Sequence, residues 1–125
     1  MQTDILTSIL NELNSSSTDI EASAVISVDG LTMASAISAG LNEDRIGAIS
    51  ASMLSLGNKT AQELVIGKLE QVLIMGEKGY VVMVYAGNET ILTALVKPDA
   101  KLNLTFMDVK WSAERVQEYL YPICA

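Results

Sequence analysis

Two neighbouring stretches in the second half of the chain limit its fold more than any other feature. Tyr80, Val81, Val82, Met83, Val84 and Tyr85 are apolar at every position, and Ile91, Leu92, Ala94, Leu95 and Val96 nearly so. Side chains along a strand alternate between the two faces of a sheet. A strand apolar on both faces must therefore lie centrally and be covered from both sides. The connection Gly87-Asn88-Glu89 is too short for a parallel crossover, so the two strands must be antiparallel neighbours. The chain thus calls for a central antiparallel sheet with helices on each face, an α/β three-layer sandwich of the α+β kind.

The remaining elements follow from periodicity. Ile5, Leu6, Ile9, Leu10 and Leu13 recur at helical spacing over residues 3–13, and the run Asn14-Ser15-Ser16-Ser17-Thr18 ends that helix. Residues 20–28 and 31–37 alternate about Asp29-Gly30, a pair that favours a two-residue type I′ turn, and predict a β-hairpin. Asn42 is the expected N-cap of a long middle helix running to Leu64 or Val65, with Gly67 as its stop. Residues 68–75, 80–86 and 90–96 read as a three-stranded meander, with Gly76-Glu77-Lys78-Gly79 as the first turn. Leu102, Phe106, Val109, Ala113, Val116 and Leu120 form one apolar stripe on a last helix over residues 103–120, closed by Pro122. The order is αββαβββα, without repeat or linker, in a single domain of 125 residues.

The middle helix is too apolar for a single sheet. At 3.6 residues per turn its apolar and small residues fill an arc of roughly 220°, whereas a helix lying on one sheet needs little more than about 100°. Two stripes separate. Ile46, Ile49, Met53, Leu56, Thr60 and Leu64 are bulky and suit the sheet. Gly47, Ala51, Leu54, Asn58, Ala61 and Val65 are smaller and would let a second helix approach closely. No spare helix of the same chain is left for that face, so a second copy is the expected supplier.

Composition removes several functions. The net charge is −7 and the eight Lys and Arg residues are scattered, against what nucleic acid or an anionic membrane surface requires. There is no histidine and one cysteine, Cys124, which excludes His-based triads, the usual zinc sites and an intrachain disulfide. No apolar run is long enough to span a bilayer, and residues 1–13 lack a signal peptide's basic start, so a cytoplasmic protein is expected. There is no GxGxxG, Walker or GxSxG motif, so no nucleotide or other cofactor is expected.

Little is left to carry chemistry. Glu43-Asp44 reads as first-turn helix charge rather than a metal or acid/base pair, and Asp29 as a turn residue. Arg45 has the chemistry of a finger for a phosphoryl group, but also that of a solvated first-turn residue. Nothing basic near Cys124 would lower its pKa. No catalytic, cofactor-binding or metal residue is assigned, and the chain is expected not to be an enzyme.

The segments Ala24-Val25-Ile26-Ser27-Val28-Asp29-Gly30-Leu31, Asp44-Arg45-Ile46-Gly47-Ala48-Ile49-Ser50-Ala51 and Leu69-Glu70-Gln71-Val72-Leu73-Ile74, followed by Gly79-Tyr80-Val81-Val82, resemble the first hairpin, the central helix and the third and fourth strands of roadblock/dynein light-chain domains. The resemblance covers almost the whole chain and lies in the joint order of the segments. It implies a five-stranded antiparallel sheet in the order 2-1-5-4-3, with one helix on one face and two on the other. It implies a homodimer joined through the third strands, so that Leu69, Gln71 and Leu73 would lie at the seam. It also implies a platform for a small Ras-like GTPase, whose nucleotide cycle the prokaryotic MglB-type members regulate.

On that reading Arg45, Ser52, Ser55, Lys59 and Gln62, the polar arc of the middle helix, would face the GTPase. Trp111 departs from the family pattern, which usually carries a basic residue there; it would anchor a partner or pack beneath the first helix. Two alternatives stand beside the regulator: a scaffold or adaptor without effect on nucleotide turnover, and a small-ligand sensor. The sensor needs a pocket with convergent polar groups, for which Ser35 and Thr93 are the obvious candidates.

Overall fold

The structure, a computed structural model, describes residues 2–38 and 40–122, so Cys124 lies outside the described residues. The elements are α1 (Gln2–Ser16), β1 (Ile20–Ser27), β2 (Thr32–Ala36), α2 (Glu43–Glu63), β3 (Gln71–Gly76), β4 (Gly79–Tyr85), β5 (Thr90–Val96) and α3 (Leu102–Leu120). The sheet runs β2-β1-β5-β4-β3 with every pair antiparallel, as expected. β5 sits at its centre between β1 and β4, and its residues are buried on both faces apart from the partly exposed Leu95. No helix among the described residues is long and apolar enough to cross a membrane.

The two faces are unequally covered. On one, α1 and α3 lie side by side and enclose the larger core, in which Leu6, Leu10 and Leu13 of α1 meet Val109 and Val116 of α3 over Val82, Val84 and Leu92. On the other, α2 alone covers a smaller cluster of Ala24, Ile26, Leu54, Met83 and Ile91.

Local chemistry adjusts several boundaries. α1 continues through Ser16, whose hydroxyl bonds back to the Leu13 carbonyl at 2.9 Å, so the serine run prolongs the helix by a turn. The first hairpin does not use a type I′ turn. Ser27 and Leu31 flank a three-residue loop, the Gly30 amide bonds the Ser27 carbonyl at 2.9 Å, and Gly30 alone in that loop takes positive φ, at 93°. A three-residue hairpin needs one left-handed residue at its end, and glycine supplies it.

The expected edge strand starts later, at Gln71. Gly67 does not end α2. The helix closes earlier, with the Ile66 amide on the Ala61 carbonyl at 3.1 Å and the Val65 amide on the Gln62 carbonyl at 3.2 Å. That is a Schellman closure. Val65, at φ 54°, occupies the left-handed position that glycine normally fills.

Candidate interaction surface

α2 starts on Asn42, whose side-chain oxygen accepts the Arg45 amide at 3.1 Å. Glu43 accepts the Ser35 hydroxyl at 2.9 Å, and its carbonyl accepts the Thr32 hydroxyl at 3.2 Å, tying the first turn to β2. From there the helix runs across the strands rather than along them. Gly47 meets the β1–β2 turn, Ser50 lies beneath β5 with its hydroxyl 2.8 Å from that of Thr93, Gly57 faces Val72 of β3, and Asn58 donates to the Tyr85 hydroxyl of β4 at 2.5 Å.

This geometry reverses much of the expected packing of the two stripes, although Val65 at the end of the smaller one is exposed. Gly47, Leu54 and Ala61 are buried against the helix's own domain, and Leu54 is only 2% exposed. Their packing is used up within the chain. The reason is steric: a Cβ on Gly47 would stand 2.6 Å from the Gly30 carbonyl oxygen, so the helix settles on its small side, where the hairpin turn can approach. Ala51 is half-buried beside Gly30, and Asn58 is engaged by Tyr85. The bulky residues turn outward instead, leaving Ile49 50% and Leu56 58% exposed, with Leu64 also open to solvent; Ile46 and Met53 straddle the boundary.

One transverse helix cannot cover the sheet. A strand of six or seven residues is about 20 Å long, and a helix with its side chains is about 10 Å across. The uncovered half shows as an apolar recess of about 180 Å³, walled by Ile46 and Ile49 of α2, Val81 of β4, Leu95 of β5, and Ile37 and Leu41 before α2. Beside it lies β3, an edge strand whose exposed Ile74 faces the recess side while the exposed Leu73 and Met75 face the other. Leu69 is half-buried against Gly57. Gln71 is half-buried too, and its side-chain oxygen is buried with no hydrogen-bond partner among the described residues. An unpaired edge, an open half-face and an outward bulky stripe form one continuous apolar surface of the kind that marks an interface.

The hairpin-first sheet, the transverse middle helix and the open third strand identify the fold type, and comparison with known proteins agrees. The Roadblock/LC7 domain model matches residues 7–96. The chain belongs to the Roadblock/LC7 family. It is 35% identical over 109 residues to the uncharacterized protein MJ1340 of Methanocaldococcus jannaschii, covering 87% of this chain and 94% of that protein. Its fold matches Myxococcus xanthus MglB with a TM-score of 0.89 at 11% identity, over 98% of this chain and 92% of that one. A Roadblock/LC7 domain from Streptomyces avermitilis matches with a TM-score of 0.84 at 20% identity, over 91% and 96% of the two chains.

In this Roadblock/LC7 domain the five residues of the expected polar arc, Arg45, Ser52, Ser55, Lys59 and Gln62, are all exposed. They share one side of α2, clear of the sheet. Trp111 lies on the opposite side of the molecule. It is 61% exposed rather than packed beneath α1, with the Arg115 guanidinium 5.0 Å from its ring centre and Arg115 paired in turn with Glu12. The two candidate sensor hydroxyls are already occupied, Thr93 by Ser50 and Ser35 by Glu43.

Sequence reasoning did not single out Val81 and Leu95 as surface residues. Both looked like ordinary strand core, and only the transverse path of α2 reveals that they are left partly open at the recess.

Proposed function

We propose that this Roadblock/LC7 domain forms a homodimer through β3 and the outward stripe of α2, and that the dimer is a non-enzymatic cytoplasmic platform that binds and regulates a small Ras-like GTPase. The observation that carries the reading is the apolar surface of Ile49, Leu56, Ile74, Val81 and Leu95 on the α2 side of the sheet, beside the unpaired edge of β3. A two-fold axis beside β3 would pair the two edges and lay each α2 over the open half of the other sheet. The exposed arc of Arg45, Ser52, Ser55, Lys59 and Gln62 would then lie on the outer surface of both helices, available to a partner. The MglB-like fold supports the GTPase as that partner.

Sedimentation velocity tests the dimer, and a monomer at working concentrations overturns it. Adding the protein to a small Ras-like GTPase from the same organism tests the rest, with hydrolysis and nucleotide exchange followed separately. A change in either rate is expected. Binding with both rates unchanged supports the scaffold reading instead, and absence of binding removes the GTPase from the proposal.

A further inference from the structure

We propose that Leu64, Val65 and Ile66, the corner between α2 and β3, form a hook that seats in the apolar recess of a second copy, between that copy's α2 and its Val81 and Leu95. The inference rests on the dimer reading above and assigns the contact that locks it.

The first observation is strain without a local purpose. Val65 is β-branched, holds φ 54° and is 87% exposed. Glycine would close the helix at that position without the steric penalty. A bulky side chain held there, flanked by the exposed Leu64 and Ile66, gains nothing within its own chain. Strained conformations persist where the surroundings or the function require them.

The second is length. Gly47 to Gly57 spans about 15 Å of helix, close to the roughly 19 Å between β2 and β3, four strand spacings apart. α2 has therefore reached the sheet edge by Gly57. Six further residues, to Glu63, carry it about 9 Å beyond. If a second copy's β3 pairs with this edge, 9 Å is about two strand spacings and brings the corner over that copy's Ile74 and Val81.

The direction also fits. Gln71 pairs with Val84, so the start of β3 and the corner before it lie at the end of β4. Antiparallel pairing of the two β3 strands sends each corner to the opposite end of its neighbour, where Val81 and Leu95 pair at the mouth of the recess.

The third is chemistry. The recess presents two hydroxyls, those of Ser50 and Thr93, and they are bonded to one another; the Ser23 hydroxyl turns to Asn14 on the opposite face. No charged group lines it. It offers nothing to a polar ligand and suits uncharged aliphatic side chains, which is what the corner presents. The two-fold gives each copy one hook and one recess, and the assembly closes on itself.

Two single-cysteine variants, Val65→Cys and Leu95→Cys, each made with Cys124→Ser, test the contact. They are mixed, allowed to exchange and treated with a short bis-maleimide. A cross-linked dimer is expected from the mixture and not from either variant alone. If sedimentation finds the unmodified protein dimeric while the mixture does not cross-link, the hook is wrong and the dimer stands; a monomeric protein overturns both. Val65→Gly supplies an independent reading. It should weaken the dimer by about tenfold or more, as expected for the loss of one buried valine. The isolated chain should unfold at an unchanged or higher temperature because the strain is gone. An unchanged dimer affinity overturns the hook.

Discussion

The carbonyl oxygen of Gly30 stands where the side chain of residue 47 would begin, 2.6 Å from the position of a Cβ on Gly47. This approach fixes the hairpin turn on the second turn of α2, and it decides which side of the helix faces the sheet. Gly47→Ala should therefore lower stability by about 1–3 kcal/mol, the usual cost of overpacking, despite alanine's better helix propensity. Gly57→Ala is the control. Its new methyl would meet the flexible end of Leu69 at 3.0 Å, and a helix gain of about 1 kcal/mol offsets the contact. Thermal unfolding of both variants should separate them clearly, and equal melting temperatures would contradict the packing described.

Leu54 and Leu56 are two residues apart and should fail differently. Leu54→Arg buries an unpaired charge against Met83 and Ile91 and should cost on the order of 4 kcal/mol, leaving little folded protein. Leu56→Arg changes an exposed position. It should leave the circular dichroism spectrum intact and shift sedimentation to the monomer. A dimeric Leu56→Arg protein would remove the outward stripe from the interface.

Ser50 and Thr93 form a buried polar pair on the α2 side of the sheet. Thr93→Val alone strands the Ser50 hydroxyl and should cost about 1–3 kcal/mol. Adding Ser50→Ala should recover much of the loss. A double-mutant cycle by denaturant titration measures the coupling, and additive effects would show that the bond contributes nothing.

Charge reversal on the polar arc should act on partner binding alone. Arg45→Glu with Lys59→Glu alters exposed side chains, so melting temperature and dimer mass should hold. Affinity for the proposed GTPase partner should fall by about tenfold, more at low salt than at high. Unchanged affinity would move the partner to another face.

Trp111→Ala tests that other face. The exposed ring and its contact with Arg115 are worth about 0.5–1 kcal/mol of stability. A small change in melting temperature with unaltered GTPase binding is expected. A large loss of binding would make the surface around Trp111 and Arg115 the docking site.

Much of the fold was legible because it depends on periodicity. Residues apolar on both faces named β4 and β5 as inner strands, and Asn42 marked the start of α2. The excess apolar arc of α2 correctly indicated surface left uncovered by its own sheet. The sides of that arc were assigned wrongly, because a helical wheel carries no information about what crosses the helix. Residue size suggested bulk toward the sheet, while the Gly30–Gly47 approach required the reverse. The Schellman closure was missed for a similar reason: sequence rules look for glycine, and this chain puts Val65 in its place. The recess was hidden because Val81 and Leu95 differ from true core only in what lies above them.

The position of β5 also bears on how the chain comes to fold. The innermost strand is the last of the five to leave the ribosome, and both β1 and β4 bond to it. Until residue 96 emerges, the first hairpin and the later one have no common neighbour, and their oily faces stay open. Closing β1 against β5 joins segments some seventy residues apart, a long and therefore slow loop. A fragment cut before β5 should collect in inclusion bodies, while the nascent full-length chain completes its sheet in one late step.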